Sequence, residues 1–106
     1  MASGLRVDIV RFVDAHQPGI VECEFADAEG ERHKLIDKVP MFTNEDLWTD
    51  SIYPRPGVVG CRILGRLESD RSGENLRVTI AFLDGVESTK GKTEFTVFDS
   101  QILMRG

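Results

Sequence analysis

Hydrophobic and polar side chains alternate with a period of two along most of this chain. The clearest run covers residues 59–67, where apolar positions 59, 61, 63 and 67 are separated by Arg62 and Arg66. After a polar loop at residues 69–75, the alternation resumes on the even positions of residues 76–82. Because successive side chains of a strand point to opposite faces, this pattern predicts one long β-hairpin.

Three further stretches also follow the strand period. Residues 21–25 and 31–39 flank the turn residues 27–30 and predict a second hairpin. In residues 5–14 the apolar positions switch from odd to even, as a β-bulge would produce, and the Pro-Gly pair at residues 18–19 predicts a turn. A last strand is predicted around Phe95 and Val97, after a polar loop at residues 84–92.

The segment from Met41 to Gly57 breaks the alternation. Its residues 43–46, Thr-Asn-Glu-Asp, are typical of a helix N-terminus, whereas Pro54 and Pro56 prevent the helix from continuing. We therefore expect one short helical turn in this linker between the two hairpins. A second short turn is predicted at residues 99–100, which would return Ile102 and Leu103 to the core.

These elements predict an all-β fold in one domain covering residues 1–106. An open sheet of six strands would leave two edges and one apolar face uncovered, and the pattern offers no long helix to cover them. Closure removes both problems, so we predict a small, six-stranded, largely antiparallel barrel.

Composition narrows the possible functions. Apolar residues make up 41% of the chain and charged residues 29%, and no apolar run approaches the ~20 residues that a membrane helix needs. The N-terminal residues lack a secretion signal, so we expect a cytoplasmic protein without membrane association. The net charge of −5 disfavours a dedicated duplex-DNA binder, because counterion release by basic side chains supplies most of that affinity. Cys23 and Cys61 are expected to be small buried side chains rather than a disulfide or metal ligands.

The first candidate site is aromatic. The linker gathers Phe42 with the only Trp, Trp48, and the only Tyr, Tyr53. Aromatic side chains with a polar tip are favoured at protein interfaces. Taken alone, this cluster is better explained as a hydrophobic plug that closes one end of the barrel, and a binding surface is the alternative.

The second candidate site is basic. Arg62, Arg66 and Arg77 are predicted on the outer face of the long hairpin, where they could contact phosphates as small nucleic-acid-binding barrels do. The same outward positions lack aromatic side chains for base stacking, so a solvated face paired with local acids is the favoured interpretation.

Two further segments contain residue types that are used in acid–base catalysis or in phosphate binding. His33 and Asp37 share a strand face, but we expect them to be solvated or ion-paired at the surface rather than a general base with its carboxylate. The loop from Gly85 to Lys92 lacks the glycine spacing of a phosphate loop and precedes a strand, so we expect a flexible hairpin loop.

The runs Asp37–Thr43 and Tyr53–Gly57, with Gly85–Thr89 downstream, resemble segments of short, uncharacterised bacterial proteins of about this length. That resemblance covers most of the chain and implies a bacterial origin without implying an activity. More loosely, a compact six-stranded barrel is similar to the β-barrel domains of translational GTPases and to small immunity proteins that bind toxins.

The sequence therefore favours a non-enzymatic domain that binds another protein through Phe42, Trp48 and Tyr53, as an adaptor or inhibitor. It requires no cofactor or metal, and no catalytic residue is assigned. The alternative is a nucleic-acid-binding barrel that uses Arg62, Arg66 and Arg77. The oligomeric state and the strand order stay open.

Overall fold

The alternating segments of the sequence form strands, and the predicted all-β fold is confirmed. In the computed structural model, residues 2–15, 19–67, 75–81 and 86–105 are described. They form seven strands: β1 (Ala2–Asp14), β2 (Ile20–Ala26), β3 (Arg32–Lys38), β4 (Arg55–Leu67), β5 (Asn75–Thr79), β6 (Glu94–Phe98) and β7 (Ile102–Arg105). The predicted turn at residues 16–18, most of the loop at residues 69–75 with Arg71, and residues 82–85 with Phe82 and Gly85 lie outside this description.

All neighbouring strands pair antiparallel, in the order β3-β2-β1-β4-β5-β6. The seventh strand was not predicted as a strand. It pairs with the first residues of β1, where β1 is not occupied by β2. The chain segment predicted to turn back at residues 99–100 does turn there, in a 3₁₀ turn, and then continues as β7.

The long first strand bends, as the switch in its apolar positions predicts. Its register with β2 shifts twice, once between Ile9 and Arg11 and once between Phe12 and Asp14. A bulge adds a residue to one strand and increases its local twist. The bend allows β1 to pair with β4 on one side and with both β2 and β7 on the other.

The sheet curves into a half-barrel shell, and backbone contacts among the described residues join its β3 side to its β6 side. The N–H of Ala28, in the β2–β3 turn, donates to the carbonyl of Thr96 in β6 at 2.9 Å. The N–H of Thr89, in the segment before β6, donates to the carbonyl of Lys34 in β3 at 2.9 Å. These contacts satisfy backbone groups that an open sheet edge would expose.

One hydrophobic core fills the shell. It is made of inward-facing residues from β1 to β6 together with linker residues, and its fully buried large side chains are Leu5, Ile9, Val21, Leu35, Val59, Leu76, Val78, Ile80 and Val97. Both cysteines are free and buried in this core, as predicted. The buried apolar residues of the strands occupy the positions that the period-two pattern marks as apolar.

The helical turn in the linker lies earlier than predicted. A 3₁₀ turn spans Val39–Met41, with Pro40 in its first turn. Thr43, predicted to begin a helix, instead accepts a hydrogen bond from the N–H of Glu45 at 3.1 Å in an isolated turn. In the described ranges no helix is long and apolar enough to cross a membrane.

Candidate functional site

The linker between β3 and β4 carries one buried and one exposed apolar side chain next to each other. Leu47 is 5% exposed and packs in the core, whereas Trp48 is 59% exposed. Ile52, four residues further, is 83% exposed. Burial of Leu47 anchors the segment, while the next side chain, the indole of Trp48, lies mostly in solvent.

Hydrogen bonds fix the backbone that carries this indole. The N–H of Trp48 donates to Ser51 Oγ at 2.9 Å, and the Trp48 carbonyl accepts from Ser51 N–H at 3.2 Å. The same carbonyl accepts the hydroxyl hydrogen of Tyr53 at 2.7 Å. Both polar backbone groups of Trp48 are therefore occupied within the linker itself.

The three aromatic residues predicted as one binding surface occupy different environments. Phe42 is 2% exposed and belongs to the core, so its prediction as a binding anchor is wrong. Phe42 directly follows the 3₁₀ turn, and its carbonyl accepts the N–H of Val58 in β4 at 2.8 Å, which holds this residue against the sheet. Tyr53 is half-buried against the core with its hydroxyl on Trp48, and only Trp48 is largely exposed.

A groove of about 410 Å³ lies beside Trp48. Phe12, Pro40 and Leu47 contribute apolar surface to it, and Glu45 and Asp46 contribute acidic groups. The Glu45 carboxylate is held by Arg55 at 2.7 Å, at the first residue of β4. The groove thus combines an apolar floor with an acidic rim.

His33 is not a surface residue, and the expectation that it is solvated beside Asp37 is wrong. It is 3% exposed, on the same inward face of β3 as Leu35. Its ring packs against Phe25 and Phe95, with centroids at 5.2 and 4.8 Å. Its Nε2 lies 2.8 Å from Asp27 Oδ2, whereas Asp37 accepts a hydrogen bond from the N–H of Lys38.

Asp27 is the partner that the sequence did not reveal. Its other oxygen accepts the backbone N–H groups of Glu29 and Glu31 at 2.9 and 3.0 Å. Burial raises the pKa of Asp27, but the hydrogen bonds from His33 and from these two amides outweigh it and hold the pKa below its ordinary value. The carboxylate therefore stays ionised next to His33.

Asp27, Glu31 and His33 each offer a ligand atom within 4.8 Å of the others. The chemistry of this group fits a metal poorly. One Asp27 oxygen is committed to backbone amides and the other to the imidazole, while Lys90 and Lys92 lie 3.7 and 3.8 Å from the Glu31 carboxylate. We assign no metal to it.

Within the described ranges, no activated nucleophile is bonded to the dyad of Asp27 and His33. Ser88 is buried near His33, but its Oγ accepts the N–H groups of Lys90 and Lys92 at 3.3 and 3.0 Å. The remaining ring nitrogen, His33 Nδ1, has no hydrogen-bond partner among the described residues. Nucleophilic catalysis needs the hydroxyl bonded to the base, and that contact is not made.

The structure does not bring the three predicted arginines into one stripe. Arg62 and Arg77 lie on the outer face of the sheet, but a register shift in β4 pairs Arg66 with the inward-facing Leu76. Arg77 is also engaged by Glu94, at 3.1 Å across the outer face. The expectation that Arg62 and Arg66 share a face is therefore wrong, because a β-bulge between them reverses the alternation.

The segment before β6 forms an ordered turn in the part of the loop that is described. Gly91 N–H donates to the Ser88 carbonyl at 2.8 Å, and Gly91 takes a φ of +78°, which favours glycine. Ser88 pairs with Leu35 in an isolated bridge to β3. The amides of Lys90 and Lys92 already bond Ser88, so they are not free to cradle a phosphate.

No protein-family model, curated protein or solved structure matches this chain. The resemblance to short bacterial proteins stays a prediction, and function has to be argued from the geometry itself.

Proposed function

We propose that this domain binds another protein through Trp48, whose indole docks a basic segment of the partner. The observation that carries the proposal is that Trp48 is 59% exposed on a backbone fixed by three hydrogen bonds. Tryptophan is enriched among the residues that contribute most to binding energy. A preorganised backbone lowers the entropy lost on binding.

Charge around the groove defines the chemistry of the partner. Glu45 and Asp46 line the groove, and the exposed Asp50 follows within the same linker. A lysine or arginine of the partner can stack on the indole face while it pairs with Asp46 or Asp50, since Glu45 is already paired with Arg55. An apolar side chain next to that basic residue would fill the groove between Phe12 and Leu47.

The domain acts in this proposal as an adaptor or inhibitor in the cytoplasm, where its two buried thiols stay reduced. Nothing in this role requires a catalytic group. The dispersed arrangement of Arg62, Arg66 and Arg77 gives less support to the nucleic-acid alternative.

The test compares capture from the source cell's lysate by the wild-type protein, by Trp48→Ala and by Phe98→Ala. Phe98 is the matched control, because it is also an exposed aromatic residue, 43% exposed, but lies on β6. We expect the wild-type protein and Phe98→Ala to capture the same dominant protein. Trp48→Ala should not capture it. Its binding should survive nuclease and weaken with salt, since exposed charge pairs are screened.

A direct measurement on the captured partner completes the test. The chain holds a single Trp, so its fluorescence reports on the proposed groove alone. Emission should shift to the blue when the purified partner covers Trp48. Capture that is unchanged in Trp48→Ala, or that disappears with nuclease, would contradict the proposal.

A further inference from the structure

The groove beside Trp48 contains two polar side chains that no other described residue engages. Asn44 and Asp46 both line this groove. Neither side chain takes part in a hydrogen bond or an ion pair within the described part of the chain, whereas the neighbouring Glu45 is held by Arg55. An amide oxygen and a carboxylate with its full charge are therefore open to an occupant of the groove.

Asp46 and Trp48 both project into solvent from the linker. The residue between them, Leu47, is buried in the core and anchors the backbone from which the two side chains extend. Asp46 and Trp48 also line the same groove, whose volume is about 410 Å³. A flat indole and a free carboxylate thus border one cavity, on a backbone that the hydrogen bonds of Trp48 hold in place.

The charge and the apolar surface of the groove restrict what can occupy it. Among the described residues that line it, Glu45 and Asp46 are acidic and none is lysine, arginine or histidine. Phe12, Val39 and Leu47 contribute apolar surface. A polar group that enters such a groove loses hydration, which is costly unless the groove supplies hydrogen bonds in return. The occupant that fits is therefore a cation that is weakly hydrated and has several donors.

We propose that the residue which this groove recognises in the partner protein is an arginine, an inference that rests on the proposed function. The guanidinium would stack on the indole of Trp48 and donate N–H bonds to the Asp46 carboxylate and to the Asn44 amide oxygen. A guanidinium is planar and weakly hydrated, and its donors point outward in the plane of the group, so it can stack and donate at the same time. The ammonium of lysine is a compact, strongly hydrated charge without a flat face.

Three short peptides test this choice of residue. They are acetylated and amidated Gly-X-Leu-Gly peptides in which X is arginine, lysine or citrulline, the last of which keeps the planar shape of arginine without its charge. Each is titrated at constant ionic strength, and NMR follows the indole N–H of Trp48 and the side-chain amide of Asn44. The arginine peptide should saturate with a Kd of about 1 mM or below. The lysine peptide should bind about fivefold more weakly, and the citrulline peptide about tenfold or more.

Variants of the two polar residues separate specific contacts from general attraction to acidic groups. Asp46→Asn should weaken binding of the arginine peptide by about tenfold, since it removes a charge-assisted contact. Asp99→Asn is the matched control, because Asp99 is also exposed and unpaired among the described residues but lies in the turn after β6, outside the groove. It should leave the affinity within about twofold. Asn44→Ala should reduce the preference for the arginine over the lysine peptide.

Several outcomes would overturn the assignment of arginine. Equal Kd values for the arginine and lysine peptides, or equal weakening in Asp46→Asn and Asp99→Asn, would show that charge alone attracts the peptide. Absence of saturation below about 10 mM arginine peptide would leave no arginine site. Each of these results leaves the protein interface to the capture experiment with Trp48→Ala. Capture that is unchanged in Trp48→Ala would instead contradict the proposed function, whatever the peptides show.

Discussion

His33 Nε2 and Asp27 Oδ2 lie 2.8 Å apart inside a protein whose other ion pairs are largely at the surface. The two residues are six positions apart: Asp27 is the first residue of the β2–β3 turn, and His33 is the second residue of β3. Asp27 shapes that turn through the amides of Glu29 and Glu31 and at the same time satisfies the buried imidazole. One carboxylate thus links the conformation of the turn to the packing of the core.

Asp27→Asn should destabilise the fold by about 1.5–3 kcal/mol at pH 7, because the amide has one acceptor oxygen for the Glu29 and Glu31 N–H groups and places an NH2 donor where the charged oxygen met His33. The pKa of Asp27 lies below its ordinary value of 3.8, so its contribution is complete above that value. It is lost as the pH falls through the lower pKa of the folded state. Urea unfolding at a series of pH values should show the difference between wild type and variant shrinking in strong acid.

The control for this prediction is Asp37→Asn, on the same strand as His33. Asp37 is half-buried and accepts only the neighbouring amide of Lys38 among the bonds described, so the change should be within about 0.5 kcal/mol. A difference between Asp27→Asn and wild type that stays constant from pH 7 into strong acid would show that the charge of Asp27 contributes nothing.

Gly57→Ala should cost about 1–3 kcal/mol through overpacking. A Cβ at this position would lie 2.9 Å from side-chain atoms of Ile9 and 3.2 Å from the carbonyl oxygen of Phe42. The matched control is Gly65→Ala in the same strand, where a Cβ would meet nothing within 4 Å. Denaturation followed by circular dichroism should separate the two variants, and equal stability would mean that β1 and the linker adjust freely around Gly57.

The two thiols should react slowly in the folded protein. Burial raises the pKa of Cys23 to about 12, with smaller contributions from Glu22 and Asp8, and burial raises the pKa of Cys61 to about 11. Since the thiolate is the reactive form, a disulfide reagent at pH 8 should modify neither cysteine within the time that unfolded protein needs for full reaction. Rapid modification without denaturant would show that the core opens readily.

Strands β1 to β6 were predictable because each contains a run of alternating apolar and polar residues, whereas the four residues of β7 are too few to show such a run. The bulge in β1 was predictable for the same reason, since its apolar positions change parity. The bulge in β4 was not. Apolar residues precede and follow this bulge in the sequence. Only the pairing of β4 with β5 shows that Arg66 and Arg77 lie on different faces.

The environment of His33 was missed although the sequence carried a signal. Its position two residues before the buried Leu35 places it on the inward face of β3. The number of charged residues in this hairpin suggested solvent exposure, and the partner Asp27 was recognised only as a turn residue. Phe95 packs against His33 but lies 62 positions further along the chain, from residue 33 to residue 95. No local sequence pattern predicts a contact over that distance.

Replacement of the linker aromatics should separate core from surface. Phe42→Ala should cost about 3–5 kcal/mol, as loss of a buried phenyl ring does. Trp48→Ala should change the free energy of unfolding by about 0.5 kcal/mol or less, because its side chain is mostly in solvent. The measurement is urea unfolding by circular dichroism, since Trp48→Ala removes the fluorescence signal. If Phe42→Ala does not fold, Phe42→Leu provides a smaller loss of buried surface. Equal losses of unfolding free energy in the Phe42 and Trp48 variants would show that Trp48 is a core residue.

Tyr53→Phe tests whether the linker is preorganised for binding. The change removes the hydroxyl that bonds the Trp48 carbonyl and leaves the ring packed against the core. Because this bond is near the surface, stability should fall by only about 0.5–1 kcal/mol. The steady-state anisotropy of Trp48 should decrease, and affinity for the captured partner should fall with a faster dissociation rate. Phe98→Ala, which leaves the linker untouched, should alter neither quantity. An unchanged anisotropy would mean that the hydrogen bonds to Ser51 alone fix the Trp48 backbone.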